Sequence, residues 1–278
     1  MTSFRNTTNI TLATVNVLNN IVDYNLRFEK ILGMLTCNEN SSIVFIQELR
    51  YDKIDDTVKF LDKLGYEMLI RTQDKDWNNP IDTVAIAYNK AMFHEIMTTL
   101  PDDSESIITR LQYVNNNNIY TLCSYHGAWG CNQQAARWNE TTTLDRMLSK
   151  YDDPVVYAGD FNATDNEEAI RFITGGVHAY NDEDYHTCWV EAQDFKASLH
   201  SDDNANMGTF MTSLNTGLAV RTAGEHNIKA DLLPARRIDY MFTRGFTYGK
   251  TGAFTGDAHT IDISEYSDHN PVIASILV

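Results

Sequence analysis

Short apolar runs recur along this chain, separated by turn-formers and amphipathic stretches. They fall at 10–15, 42–46, 66–71, 83–88, 106–113, 119–125, 155–159, 237–242 and 271–277, lengths that suit strands. Ile43-Val44-Phe45-Ile46 and Val155 to Ala158 are apolar at consecutive positions, the pattern of a strand covered on both faces. The polar run Asn115 to Asn118 lies between two such segments. It predicts a hairpin turn, because Asn tolerates the left-handed backbone that tight turns need.

Helical spacing fills the gaps. Leu26, Ile31, Leu32 and Leu35 predict one apolar face. Val58, Leu61 and Leu64 predict another, closed by Gly65. A longer helix is predicted through Ala135, Trp138, Thr141, Leu144, Met147 and Leu148, and a fourth from Glu167 to Thr174 before Gly175-Gly176. Hairpins mixed with strand–helix–strand units predict an α/β sandwich in four layers, two packed mixed β-sheets flanked by helices. No repeat or Gly/Ser-rich linker divides the chain, so residues 1–278 are expected to form one domain. Gly175 to Ala235 has weak periodicity and predicts long loops.

Four polar islands sit where buried strands should end: Thr14-Val15-Asn16, Gln47-Glu48, Gly159-Asp160-Phe161-Asn162 and Ser267-Asp268-His269. Polar residues at the C-terminal lips of such strands can converge on one cleft. Asn, Glu, Asp, Asn, Asp and His supply oxygen ligands for a hard divalent cation and a proton-transfer group. That set points to metal-assisted hydrolysis of a phosphate ester. Taken singly, each residue has a plainer reading: Glu48 as a strand-end acid, Asn16 as a turn-former, His269 as a solvated loop histidine.

Gly159 permits close backbone approach, and Phe161 should anchor inward while Asp160 and Asn162 face the cleft. Asp239, in Arg237-Ile238-Asp239-Tyr240, could fix the tautomer of His269 as an Asp–His dyad or pair with Arg236 or Arg237. His126 ends an apolar run and enters Gly127-Ala128-Trp129-Gly130, a position from which it could protonate a leaving oxygen opposite His269. Trp129 could stack on a base or sugar, or pack in the core.

Composition narrows the setting. The net charge of −16 argues against a broad basic surface for gripping nucleic acid, although a metal site and a few local cations suffice for a nuclease. No apolar stretch approaches the roughly 20 residues of a membrane span, and Met1 to Asn9 lacks a signal-peptide core. An intracellular protein without membrane insertion is therefore expected. Cys37, Cys123, Cys131 and Cys188 lack a CxxC or zinc spacing and are expected to be reduced, with Cys123 a buried thiol.

These motifs, in this order from Asn16 to His269, resemble those of the endonuclease/exonuclease/phosphatase superfamily, which has the DNase I-like fold. The resemblance implies metal ligation by Asn16, Glu48 and Asp268. It implies a catalytic Asp160, a phosphate-orienting Asn162 and an Asp239–His269 pair. At His126 the chain is similar to members with a second histidine and unlike the abasic-site endonucleases, and Asn16-Val17-Leu18 lacks the Asp those enzymes carry two residues after the Asn. The carboxylate partner of His126 is open among Asp74, Asp76 and Asp82. The implied function is a Mg²⁺-dependent phosphodiesterase, with Mn²⁺ or Ca²⁺ as possible substitutes. Its expected form is a monomeric nuclease acting on DNA or RNA, with His269 activating water, although Asp160 and His269 could exchange roles. The rival readings are a phosphatase or phosphodiesterase for inositol phosphates or lipid headgroups, and an inactive binding protein on the same fold.

Overall fold

The computed structural model describes residues 8–72, 82–130, 132–175, 190–191, 237–245, 258–261, 263 and 265–278. Among them, β1 (Asn9–Asn16), β2 (Ser41–Arg50), β3 (Tyr66–Ile70), β4 (Asp82–Asn89) and β11 (Val272–Leu277) form one mixed sheet in the order β11-β1-β2-β4-β3. The second sheet contains β5 (Phe93–Thr99), β6 (Glu105–Tyr113), β7 (Ile119–His126), β8 (Val155–Asp160), β9 (Val190–Glu191) and β10 (Asp239–Arg244), ordered β5-β6-β7-β8-β10-β9.

Each sheet contains one parallel pair made by a helical crossover. Helix α1 (Tyr24–Gly33) joins β1 to β2, and α3 (Gln134–Leu148) joins β7 to β8. Parallel neighbours cannot be joined by a tight turn, so a helix must cross the sheet face. Helix α2 (Ile54–Lys63) and the short α4 (Glu168–Ile173) cover the outer faces with them.

The side-chain period of two sorts each strand between two cores. In β2, Ile43 and Phe45 enter the core between the sheets with Leu12, Ile86, Leu122, Val156 and Met241. Val44 and Ile46 point the other way, against Phe28, Ile31, Leu32 and Leu61 of α1 and α2. In the second sheet, Cys123, Tyr125 and Tyr157 pack outward against Leu144, Leu148 and Phe172. These are the four expected layers, and they explain why the strands read as unbroken apolar runs.

Local expectations fare unevenly. The turn before β7 is where the Asn run placed it, with Asn117 at φ 59°. Cys123 is buried, and Cys37 and Cys123 are free thiols; Cys131 and Cys188 lie outside the described residues. The predicted faces of the first two helices need correction. Leu26 is 57% exposed and Val58 39% exposed. Helix α1 instead buries Tyr24, Arg27, Phe28, Ile31 and Leu32, so its inner row starts two residues earlier. The segment expected at 237–242 pairs as Asp239–Arg244. Of the stretch expected to be looped after Gly175, only β9 falls within the described residues before 237. Among the described residues, no helix is long and apolar enough to cross a membrane.

Candidate active site

The two sheets present their polar strand ends side by side. Strand β8 ends on Asp160 beside His126 of the parallel β7, in direct register. This approach requires Gly159. A Cβ there would lie 1.9 Å from the Tyr125 carbonyl oxygen, and its φ of 152° disfavours any side chain. Phe161 then turns inward, 1% exposed, among the rings of Tyr125, Tyr157, Tyr240 and Phe242. That anchor fixes Asp160 and Asn162 on either side.

Glu48 owes its direction to a β-bulge. Ile46 pairs with Ala85 and Leu49 with Thr83, so two residues of β2 oppose one of β4. Glu48 adopts φ 57° there, a left-handed conformation costing about 1 kcal/mol or more for a non-glycine residue. Gln47 stays buried and donates to Ser124 Oγ across the sandwich at 3.1 Å. The Glu48 carboxylate accepts from Asn16 Nδ2 at 2.8 Å and from the Asn19 backbone N–H at 2.9 Å. These bonds offset the strain.

Asn16 is a hub between the sheets. Its Nδ2 also donates to Asp160 Oδ2 at 3.1 Å, while its Oδ1 accepts from the Leu18 backbone N–H at 2.9 Å. Ser267 Oγ donates to the Asn16 carbonyl at 2.8 Å and accepts from the His269 backbone N–H at 3.2 Å. The final loop is thereby tied to the end of β1.

His269 Nδ1 lies 2.9 Å from Asp239 Oδ2, so the expected dyad forms and joins the loop before β11 to the first residue of β10. Its Nε2 faces Asp160 Oδ2 at 3.6 Å and Asp268 Oδ1 at 3.9 Å. Burial alone would lower the His269 pKa, but the Asp239 and Asp160 carboxylates more than reverse this and push it up to about 10. Arg237 stacks its guanidinium over the Tyr240 ring, 4.5 Å from the centroid.

His126 approaches the same oxygen. Its Nε2 is 3.8 Å from Asp160 Oδ2 and 3.9 Å from Glu48 Oε1. Burial would lower its pKa, and Glu105, Asp160 and Glu48 together drive it well above the usual histidine range. Its Nδ1 lies 3.3 Å from Glu105 Oε2, a residue the sequence reading did not single out. Asp82, one of the three candidates for this role, instead accepts from Asn19 Nδ2. Asp74 and Asp76 lie outside the described residues. Glu105 opens β6 and is paired with His126 by strand register, a long-range relationship with no local sequence signal.

Asn162, at φ 49°, donates its backbone N–H to Asp160 Oδ1 at 2.8 Å and its side-chain amide to the Gly127 carbonyl at 3.0 Å. All eight expected residues, Asn16, Glu48, His126, Asp160, Asn162, Asp239, Asp268 and His269, are therefore linked in one cluster by these contacts.

The donors suit a hard divalent cation. Glu48, Asp160 and Asp268 bring carboxylates to one place. Asp268 Oδ1 is buried without a hydrogen-bond partner, and burial pushes the Asp268 pKa up to about 6 despite the lowering effect of His269. Asp160, Asp239 and His269 also bring one ligand atom each within 4.8 Å of one another. The His269–Asp239 contact engages two of those three groups with each other.

Residues 13–269 match the sequence model of the Endonuclease/Exonuclease/phosphatase family. No curated protein sequence matches the chain. Among solved structures, an endonuclease/exonuclease/phosphatase from Bacteroides vulgatus superposes with a TM-score of 0.67 at 17% identity, covering 98% of this chain and 99% of the other. D. rerio TDP2 complexed with a single-strand DNA product gives 0.65 at 15% identity, covering 96% and 98%. The human Nocturnin catalytic domain with bound sulfate gives 0.65 at 15% identity, covering 97% and 94%. With four sandwich layers, a carboxylate–histidine cluster where the strand ends of the two sheets meet and a family match across nearly its whole length, this chain belongs to the endonuclease/exonuclease/phosphatase family of phosphoester-hydrolysing enzymes.

Proposed function

We propose that the protein is a Mg²⁺-dependent nuclease, a phosphodiesterase acting on DNA or RNA as a monomer, with residues 1–278 forming one catalytic domain. The observation that carries this reading is the pair of histidines whose Nε2 atoms both face Asp160 Oδ2, at 3.6 Å and 3.8 Å, each with a carboxylate at its Nδ1. Two oriented proton carriers suit a diester. One withdraws a proton from water, and the other donates to the departing alkoxide on the far side of phosphorus.

Glu48 and Asp268, with Asn16 beside them, would hold the metal. When bound, a divalent cation neutralises charge on the phosphoryl group. Asn16 also sets the distance between the sheets' carboxylates, because its one amide holds both Glu48 and Asp160.

A bound cation would offset the carboxylate charge that otherwise raises the His269 pKa to about 10. The neutral ring would then accept at Nε2 the proton of the attacking water, with Asp239 at Nδ1 holding the ring and stabilising the imidazolium that forms. Asp160 aligns that water. Asn162 uses one amide hydrogen on the Gly127 carbonyl, which leaves the second for a non-bridging oxygen. His126, kept protonated by Glu105, donates from Nε2 to the leaving oxygen. The single-strand DNA product held by D. rerio TDP2 supports nucleic acid as the substrate class for this cleft.

The test is a substrate panel of plasmid DNA, single-stranded DNA, RNA and soluble inositol and choline phosphoesters, each with Mg²⁺ and with EDTA. Mg²⁺-dependent cleavage of a nucleic acid is the expected result. Turnover confined to the small phosphoesters would transfer the site to the headgroup reading. No turnover across the panel would favour a binding protein.

A further inference from the structure

The Gly127 carbonyl and the Ala128 N–H belong to one planar peptide unit, and its trans form points them in opposite directions. The carbonyl accepts from Asn162 Nδ2 at 3.0 Å. The N–H donates to Glu140 Oε2 at 3.2 Å. A single rigid plane is therefore held at both edges, by Asn162 on one and by Glu140 on the other. The flanking groups are fixed as well. Gly127 N–H donates to the Asp160 carbonyl at 2.8 Å, and the Ala128 carbonyl accepts from Arg137 Nη1 at 2.8 Å.

Glu140 is itself mounted on rigid parts. Tyr125, fully buried, donates its hydroxyl to the same Oε2 at 2.7 Å. Its ring packs edge-to-face with Phe161, with 5.0 Å between centroids. On α3, Glu140 stands about one turn after Arg137, so the two side chains share a helix face. Arg137 is buried and paired with Glu167 at 2.7 Å.

What this plane controls is the direction of the Asn162 amide. An Asn side chain turns over about its last torsion, exchanging its oxygen for its NH2. A carbonyl acceptor admits only the NH2 end. Held by Gly127, the amide keeps its second N–H for an anionic oxygen; turned over, it would place its own oxygen where that donor belongs. Charge adds to this. A peptide whose N–H donates to a carboxylate carries a more negative oxygen, because hydrogen bonds in a chain polarise one another. Glu140 thus makes the Gly127 carbonyl a better acceptor for Asn162.

We propose that Glu140 is a positioning residue for phosphoryl recognition, acting through the Gly127–Ala128 peptide to fix which end of the Asn162 amide meets the substrate. This rests on the reading of Asn162 as the group that holds a non-bridging oxygen. It gives a carboxylate outside the metal and proton-transfer sets a share in the reaction.

The experiment is a double-mutant cycle on the full chain at saturating Mg²⁺, with a short oligothymidylate and bis(4-nitrophenyl) phosphate as substrates. Asn162→Ala should lower kcat by about 10²–10³-fold, the scale for a donor to developing charge. Glu140→Ala should lower kcat by about 10- to 100-fold through misplacement, with KM little changed. In the Asn162→Ala background the same change should cost less than about 2-fold, since the group it acts through is gone. Glu140→Gln keeps an acceptor for the Ala128 N–H and should recover all but about 5-fold. If thermal melting shows Glu140→Ala unfolded, the smaller loss in Glu140→Gln is put through the same cycle and should vanish likewise. A Glu140 loss that persists in full without Asn162 would overturn the proposal and leave the role of Asn162 standing. Turnover of the small diester alone would overturn the nuclease reading, and the cycle on that diester would still decide the role of Glu140. No turnover of either substrate would overturn both.

Discussion

Glu105 and His126 are directly opposed in the antiparallel register of β6 and β7, and their side chains meet at 3.3 Å. Neither partner can drift without breaking the ladder, so the carboxylate is a fixed feature of the histidine's surroundings. Replacing it as Glu105→Gln removes a charge that raises the His126 pKa. The alkaline limb of the pH–kcat/KM profile should move to lower pH, because the acid loses its proton earlier. Thermal melting near pH 7 serves as the control for folding. A profile that keeps its alkaline limb would take Glu105 out of proton transfer.

The dyad makes a second expectation. His269→Ala and Asp239→Asn should each lower kcat by about 10²–10⁴-fold, the usual scale for a general base and its orienting group. Combined, they should lose far less than the product of the two, since they act as one unit. Steady-state kinetics at saturating Mg²⁺ on a cleavable diester measures this. Multiplicative losses would mean that Asp239 works apart from His269.

In EDTA, stability should depend on pH in a definite direction. The folded pKa of His269, about 10 against 6.5, contributes stability that is complete below pH 6.5 and lost as pH rises through 10. Asp268, raised from 3.8 to about 6, acts in the same sense: the folded state favours its neutral form, and that contribution is lost as pH rises through 6. Melting temperature should therefore fall between pH 6 and pH 10, and less steeply in His269→Ala. Divalent metal should bind with proton release, since a cation competes with these protons, a quantity calorimetry in buffers of different ionisation enthalpy reads directly.

Gly159→Ala should destabilise the fold by about 3 kcal/mol or more, because its Cβ would fall 1.9 Å from the Tyr125 carbonyl oxygen in the middle of the β7–β8 pair. Urea unfolding followed by fluorescence measures the loss. A variant of unchanged midpoint would show that the two strands can separate locally without cost.

Strands buried on both faces were legible because both faces left apolar residues in the sequence, as Ile43 to Ile46 illustrate. The polar strand ends were legible for the complementary reason, that acids and amides interrupting such runs stand out. Other features left no local trace. Strand β5 carries exposed His94, Glu95 and Ile96 on a sheet edge, with a pairing shift between Glu95 and Met97 that breaks its alternation. Glu105 meets His126 through register, which depends on where the β6–β7 turn falls. Arg27, 4% exposed, uses its guanidinium on the carbonyls of Val17, Leu18, Asn20, Val22 and Tyr266. Nothing near it in sequence marks it as a clamp on the loop after Asn16.

The dyad also governs when the protein can work. Asp239 belongs to the six-stranded sheet, whereas His269 is delivered by the loop that leads into β11, which pairs with β1 of the other sheet. The base and its carboxylate come together only after the last strand has docked against the first. During synthesis, Asn16, Glu48, His126, Asp160, Asn162 and Asp239 can be in place while Asp268 and His269 are still to be added. Hydrolytic competence is thus acquired late in folding, and any loosening of β11 from β1 should silence the enzyme before the rest of the sandwich comes apart.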